Sequence, residues 1–388
     1  LDREDVFVST GELPPLDRIT QLLQQAHRRF ARVDEGEVSQ VYPALARMPP
    51  DLFGICIAGR SGRVVAVGDA EREFTIMSVS KPFVFALVCD LIGPTSARRR
   101  LGANATGLPF NSASAVERRV DGRTNPMVNP GAIATTSLVP GADMEERWGF
   151  IRDGLSRFAG RELLLDRDVY ESAIETNFAN RSIGWLLQAR GAIYCDPEEA
   201  VELYTRQCSL DVSARDLAVM GATLANGGMN PVTGEQVVRA KTCHYALAAM
   251  VTAGLYETSG DWFYEVGLPG KSGIGGGIVT ISPGKGGMGT FAPPLDPAGN
   301  SVRGQLATQF LSRRLGMDLL TSPPATSSPT ATWGRFFGAR AVRLVLLLVA
   351  VTLGTFLLLH LSPIDPVQAY IGADSSRIGP EQRALIEQ

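Results

Sequence analysis

A serine and a lysine three residues apart are the residues whose spacing first suggests chemistry. Ser78-Val-Ser-Lys81 opens a largely apolar run that is typical of a buried helix. Residues three apart share a helix face, so we expect the lysine amine beside the serine hydroxyl, where a buried amine with a lowered pKa can accept the serine proton. The alternative is structural, with the serine capping the helix and the lysine at the surface.

A second segment combines a lysine, a small hydroxyl and several glycines. Lys271-Ser-Gly273 is followed by Ile274 and three more glycines, which allow a ligand to approach the backbone closely. The segment is similar to the Lys-Thr-Gly strand of penicillin-recognising enzymes. It does not fit a phosphate-binding loop, because Glu265 stands where that motif needs glycine. The structural alternative is a tight turn between two strands.

Composition argues against several classes of function. The chain has 388 residues, a formal net charge of -3, 45% hydrophobic and 20% charged residues, which is typical of a globular protein without attraction for nucleic acid. The histidines His27, His244 and His360 have no partner motifs, so neither a Ser-His-Asp triad nor a histidine-rich zinc site is expected. The scattered cysteines are expected to be reduced and buried. We therefore expect no metal, no cofactor and a base other than histidine.

The elements that must position these residues are strands at both ends of a large domain with helices between them. We expect a helix over residues 16–31, strands within residues 51–68 and a mainly helical stretch over residues 144–254. Further strands are expected over residues 264–267, 276–282 and 287–291. This order predicts an α/β (α+β) fold, in which one sheet is flanked by helices and its two halves bracket a helical subdomain.

The composition changes beyond residue 318. Residues 319–333 are rich in Ser, Pro and Thr and are expected to form a linker. Residues 344–361 are apolar enough to cross a bilayer as a transmembrane helix, and arginines before them would leave the N-terminal part in the cytoplasm. The alternative is a buried helix of a soluble protein. No secretory signal pattern opens the chain, so we expect a cytoplasmic domain over residues 1–318 and a membrane segment over residues 334–388.

Further motifs stand in an order and at spacings typical of one protein family. They are residues 125–133 (Asn-Pro-Met-Val-Asn-Pro-Gly-Ala-Ile), 223–228, 254–256, 271–273 and 293–296. Through these motifs and Ser78-x-x-Lys81, residues 14–315 resemble the serine-dependent glutaminases, which are relatives of β-lactamases. The resemblance implies a β-lactamase/transpeptidase-like fold and hydrolysis of L-glutamine to glutamate and ammonia through a serine acyl-enzyme, without a cofactor. It also implies a homo-oligomer, either a dimer or a tetramer.

The resemblance implies a catalytic role for four side chains. Ser78 would attack the amide carbon and Lys81 would accept its proton. Tyr256 would deliver a proton to the departing ammonia, and Tyr204 would orient Ser78 or Lys81. The alternative for both tyrosines is a place in the core with a satisfied hydroxyl.

The resemblance also implies how the substrate is held. The backbone amides of Ser78 and Ile274 would form an oxyanion hole, where donors face the charge that develops in the transition state. Asn129 and Asn180 would hold the α-amino and α-carboxylate ends of the amino acid.

Two positions depart from the family pattern. Ala173 stands at the substrate-binding position where the family has a glutamate that pairs with the substrate ammonium. Glu171 or Glu175 would have to replace it after a helical shift, and losing such a charge-assisted hydrogen bond costs about 1.5–3 kcal/mol. The family's Tyr-Ile-Pro reads Val-Tyr42-Pro here, so its tyrosine is displaced or lost. A catalytically weakened amino-acid-binding or regulatory protein tethered to the membrane is therefore the alternative function.

Two further comparisons remain at the level of motifs. A penicillin-recognising serine hydrolase is disfavoured, because no Ser-Asp-Asn lies between Lys81 and Lys271. The tail over residues 358–367 resembles the first membrane helix of peptide-type ABC transporter permeases. One helix cannot form a translocation path, so we expect no transport and leave open whether the tail is an anchor or a fused fragment.

Overall fold

The computed structural model of the protein describes residues 11–320 and 330–361, and the chain divides into two units, Leu1–Ser322 and Pro323–Gln388. The strands are β1 Glu37–Val38, β2 Gly54–Gly59, β3 Val64–Gly68, β4 Phe74–Thr75, β5 Asp211–Val212, β6 Gly270–Ser272, β7 Gly277–Ser282, β8 Gly286–Phe291 and β9 Pro294–Leu295. The helices are α1 Leu16–Phe30, α2 Lys81–Ile92, α3 Pro94–Leu101, α4 Ser114–Glu117, α5 Asn129–Thr136, α6 Met144–Ala159, α7 Arg167–Thr176, α8 Phe178–Ala189, α9 Pro197–Cys208, α10 Ala214–Ala225, α11 Ala240–Ala253, α12 Ser259–Val266, α13 Val302–Arg314 and α14 Thr330–Leu361. Three short 3-10 helices cover Leu45–Arg47, Met77–Ser80 and Tyr256–Thr258.

Strands from both ends of the first unit form one antiparallel sheet. Its order is β3-β2-β8-β7-β6, and β2 pairs with β8 from Gly54 opposite Phe291 to Gly59 opposite Gly286. The long stretch from α2 to α12 lies between the two halves in sequence. The prediction of one sheet flanked by helices, with its halves bracketing a helical segment, is therefore confirmed.

Helices cover both faces of this sheet, because the strands bury side chains on both sides. Ile55 and Ile57 of β2 join a core with Leu22 of α1 and Leu311 of α13, whereas Cys56 belongs to the core on the opposite side. This alternation is the two-residue period of a strand. Every residue of β2 is buried, so the sheet is an internal layer.

The glycines of β8 let a helix pack directly on the strand. A Cβ at Gly287 would lie 2.4 Å from the carbonyl oxygen of Ala218, and one at Gly289 would lie 2.0 Å from that of Ala214. Only glycine leaves room for the backbone of α10 at this distance. This contact fixes the middle of the sheet against the helical part of the unit.

One predicted strand is wrong. Residues 264–267 end a helix instead: they include the last turn of α12 and its cap, Gly267, which has a left-handed φ of 70°. Trp262 and Val266 are buried four residues apart, the spacing of one helix face, whereas Tyr264 is 85% exposed. Four residues are too few for the strand and helix periods to be told apart.

The second unit contains one long apolar helix, α14. Within it, Arg340–Leu358 has a mean hydropathy of 2.4 over 19 residues, and it is the one unbroken helix in the described ranges that is long and apolar enough to cross a membrane. Its length of about 28 Å matches the hydrocarbon core of a bilayer. Most of the predicted linker, residues 321–329, and the permease-like motif beyond residue 361 lie outside the described residues.

Candidate active site

A sharp backbone bend presents Ser78 at the start of the buried helix α2. Met77 has a φ of 48°, a conformation that residues other than glycine seldom adopt, and Ser78 follows in a 3-10 helix. The hydroxyl of Ser80 donates to the carbonyl of Met77 at 2.7 Å and accepts from Gln207 at 3.0 Å, which holds the bend. Three residues per turn in a 3-10 helix bring Ser78 and Lys81 into line.

Lys81 is a buried amine with no carboxylate beside it among the described residues. Its Nζ donates to Asn129 Oδ1 at 2.7 Å, and no hydrogen bond within residues 11–320 joins it to Ser78. Burial lowers the pKa of Lys81 from 10.5 to about 7, since the low-dielectric interior penalises the ammonium form. A large neutral fraction is therefore present near neutral pH, as a general base requires.

Asn129 connects the buried polar groups beside Lys81. Its Oδ1 accepts from Lys81 and also from the hydroxyl of Tyr204 at 3.1 Å, while its Nδ2 donates to Asn180 Oδ1 at 2.9 Å. Burial raises the pKa of Tyr204 well above its usual value, so its phenol stays protonated and donates. Asn129 therefore orients Lys81 through this hydrogen bond. The sequence did not predict the contact.

Tyr256 contacts Ser78 from the other side. Its hydroxyl donates to the carbonyl of Ser272 at 3.1 Å, and the Ser78 side chain is close enough to oppose the rise in its pKa. Burial raises the pKa of Tyr256, so the phenol keeps its proton at neutral pH. The residue adopts a φ of 60°, and its ring centroid lies 4.6 Å from that of Phe110. The arrangement places a protonated phenol near the serine hydroxyl.

A glycine-rich turn packs against the backbone that precedes Ser78. The amide of Gly276 donates to the carbonyl of Gly273 at 3.0 Å, and a Cβ at Gly275 would lie 2.7 Å from the carbonyl of Thr75. Within this turn the amide of Ile274 donates to no group among the described residues. A free amide on a turn that contacts the Ser78 segment fits an oxyanion-hole donor.

A cavity of about 110 Å³ brings most of the predicted site residues together. Its lining includes Ser78, Asn129, Ala173, Asn180, Tyr204 and Ile274. It also includes Tyr42, which the displacement alternative puts in the place of the family tyrosine, whereas Lys81 and Tyr256 are not part of the lining. None of the residues that line the cavity has a formally charged side chain. A charged substrate therefore meets only dipoles there.

Ala173 stands on α7 with its side chain buried at the cavity. Glu171 and Glu175 are both exposed, and neither belongs to the lining, so the structure does not bring either into the place of the missing carboxylate. The sequence also missed Cys208, a buried lining residue four positions after Tyr204 on α9. That spacing puts both on one helix face, which is the signal that would have found it.

The cysteines of the chain all lie in the first unit, Leu1–Ser322. All five cysteines are free; four are buried and Cys195 is half-buried. Within the described parts of the chain, no group of three or more His, Cys, Asp or Glu side chains could hold a metal ion.

Fold and site together define the chain as a hydrolase: a mixed α/β fold carries a serine in line with a buried lysine, next to a phenol and a free backbone amide. The model of the family described as Glutaminase matches residues 36–320. Glutaminase 2 of Yersinia pestis is 67% identical over 320 residues, which cover 82% of this chain and 94% of that protein. The glutaminase of Brucella canis is 47% identical over 312 residues, which are 80% and 98% of the two chains.

Solved structures agree with these relatives. A structure described as probable glutaminase ybaS superposes with a TM-score of 0.78 at 42% identity and covers 80% of this chain and 100% of that one. A structure of Mglu in its glutamate form has a TM-score of 0.75 at 36% identity, with 79% and 70% of the two chains covered. The chain therefore belongs to the glutaminase family, which confirms the resemblance of its sequence motifs.

Proposed function

We propose that this glutaminase hydrolyses L-glutamine by transferring the glutamyl group to Ser78. The serine oxygen attacks the side-chain amide carbon while Lys81 Nζ accepts the serine proton. Negative charge develops on the amide oxygen, where the backbone amides of Ser78 and Ile274 stabilise it. The carbon–nitrogen bond then breaks, ammonia leaves, and water hydrolyses the glutamyl ester to release glutamate.

The observation that carries this proposal is the position of Ser78 between two buried titratable groups. Lys81 stands one 3-10 turn away with its pKa lowered to about 7, and the protonated phenol of Tyr256 lies close enough to Ser78 for the serine to affect its pKa. One group is suited to accept the serine proton and the other to deliver a proton to the leaving nitrogen. After ammonia has left, Lys81 is protonated and Tyr256 has lost its proton, and transfer of one proton from Lys81 to Tyr256 restores both groups before water attacks the ester.

Asn129, Asn180 and Tyr204 are proposed to hold the amino-acid end of the substrate and to orient Lys81. The uncharged cavity supports weak rather than charge-based recognition of that end, because Ala173 supplies no carboxylate for the ammonium. The same observation favours the second candidate, a weakened amino-acid-binding protein with little turnover. Glutamine binding without ammonia release would support that candidate instead.

The fold and domain proposals rest on the antiparallel sheet and on the two units. A β-lactamase/transpeptidase-like arrangement, with a helical subdomain over the cleft, is supported by a sheet whose halves come from both ends of the first unit. The corresponding domain division is residues 1–318 for the enzyme, 319–333 for the linker and 334–388 for the membrane segment. A homo-oligomer, as a dimer or tetramer, is proposed from the family resemblance.

The localisation proposal is a cytoplasmic enzyme anchored by the apolar span Arg340–Leu358. Its hydropathy and length support insertion, and arginines before its apolar part favour the orientation with the enzyme in the cytoplasm. The full chain should then require detergent for extraction from membranes. Recovery of the intact chain in the soluble fraction without detergent would contradict the anchor.

An acyl-enzyme can be tested by competition between water and hydroxylamine. Purified full-length protein is incubated with L-glutamine and increasing hydroxylamine, and glutamate, γ-glutamyl hydroxamate and ammonia are measured, with L-asparagine as control substrate and an enzyme-free reaction as blank. We expect hydroxamate to form at the expense of glutamate. Glutamate release without any enzyme-dependent hydroxamate would contradict the covalent route, and absence of ammonia release would contradict the activity itself.

A further inference from the structure

Lys271 is a second buried lysine, and its amine has two carbonyl acceptors and an aromatic ring beside it. Its Nζ donates to the carbonyl of Gly254 at 2.8 Å and to that of Ser272 at 2.6 Å, and it lies 4.1 Å from the ring centroid of Tyr256. The two carbonyls can accept both protons of a neutral amine, and the ring face would stabilise any ammonium that forms. No ion pair among the described residues includes Lys271.

Lys271 lies behind the cavity lining and contacts Tyr256. Lys271 is 0% exposed and does not line the cavity, in contrast to Ser78. Tyr256 lies near both residues: its ring faces Lys271, and the Ser78 side chain is close enough to affect the pKa of its phenol. The contacts therefore run from Lys271 to Tyr256 to Ser78.

The same lysine also ties together the two backbone segments that hold Tyr256. Gly254 precedes the tyrosine, whose φ of 60° is a strained conformation, and Ser272 accepts from both Lys271 and the tyrosine hydroxyl. The amide of Ser272 additionally donates to the carbonyl of Gly254 at 3.3 Å. A strained conformation persists only where its surroundings determine it, and here Lys271 supplies part of those surroundings.

We infer that Lys271 is a positioning residue that holds the Tyr256 phenol against Ser78 for proton delivery to the leaving ammonia. The inference rests on the proposed role of Tyr256. Burial, together with the nearby Lys81, lowers the pKa of Lys271 well below its usual value, so any charge it keeps depends on the two carbonyls and the ring. Lys271 itself touches neither substrate nor the reacting atoms.

A double-mutant cycle tests whether Lys271 acts through Tyr256. In the full-length protein, Lys271→Met should lower kcat for L-glutamine about tenfold or more and change KM less than about threefold, because the loss falls on the chemical step. Lys271→Gln, which keeps donors for the carbonyls but loses the ammonium, should fold even where Lys271→Met does not and should show the same kcat-selective loss. Lys285→Met is the matched control, at a third buried lysine, which donates to the carbonyl of Gly316.

In a Tyr256→Phe background, the Lys271 substitutions should lower kcat little further, since the effects of substituting residues that act as a unit are not additive. Full additivity of the Lys271→Gln and Tyr256→Phe losses in kcat would overturn the inference, as would equal losses in Lys285→Met and Lys271→Gln. A Tyr256→Phe protein with unchanged kcat would instead contradict the proposed role of the tyrosine, so the two failures are distinguishable.

Discussion

The lowered pKa of Lys81 makes a sharp prediction about pH and rate. Burial lowers this pKa from 10.5 to about 7, so about half of the Lys81 side chains are neutral at pH 7. At the usual value only about three in ten thousand would be neutral, so burial increases the available base on the order of a thousandfold. The amine must be neutral to accept the Ser78 proton, and activity should therefore fall as pH falls through about 7.

The assay is kcat/KM for L-glutamine, measured by ammonia release from about pH 5.5 to 9.5 at constant ionic strength. This ratio reports the pKa of groups in the free enzyme. We expect kcat/KM to decrease about tenfold per pH unit below the pKa of Lys81. Lys81→Met should abolish turnover over the whole range. Circular dichroism at the lowest pH verifies that the wild-type protein is still folded.

A flat profile between pH 6 and 9 would refute this reasoning, because no base with a pKa near 7 would then be required. An acid limb of kcat/KM with its midpoint above pH 9 would refute it equally, since Lys81 would then titrate as an exposed lysine does. Retained turnover in folded Lys81→Met would remove the residue from the mechanism.

Three further changes have defined outcomes. Ala173→Glu should lower KM for L-glutamine about tenfold to a hundredfold by adding a charged partner for the ammonium, whereas Ala173→Gln should not; equal KM values in both would contradict this. Asn129→Asp should place a carboxylate against Lys81, raise the pKa of Lys81 and shift the acid limb of kcat/KM to higher pH; an unshifted limb would show that this contact is absent in solution. Leu348→Arg should impair membrane insertion of the full chain at a cost of about 2.5–3.5 kcal/mol, and Leu320→Arg should not; equal membrane fractions would argue against the span.

The sequence predicted the sheet and the paired motifs because both depend on local patterns. Strand periodicity identified the segments around β2 and β8, and the three-residue spacing of Ser78 and Lys81 indicated their common face. Residues 264–267 were misassigned, because so short a run lacks a full helical period. The helix is evident only in the folded chain, from its C-terminal cap Gly267 and from the burial of Trp262 and Val266 on one face.

Parts of the site depend on contacts between distant segments, which no local pattern records. The left-handed backbone of Met77 and Tyr256 falls on residues without glycine's freedom, so sequence gives no warning of it. The contact of Asn129 with Lys81 joins residues 48 positions apart. The place of Lys271 behind Tyr256, away from the cavity lining, likewise follows from how β6 packs against the segment that begins at Gly254.

The central claim, nucleophilic attack by Ser78, is tested most directly by comparing two alanine variants of neighbouring buried serines. Ammonia release from L-glutamine is measured for Ser78→Ala and for Ser80→Ala, whose hydroxyl holds the backbone bend by bonding Met77 and Gln207. We predict that Ser78→Ala loses turnover by at least about a thousandfold while remaining folded, and that Ser80→Ala keeps measurable turnover. Turnover in Ser78→Ala within about tenfold of wild type would contradict the account.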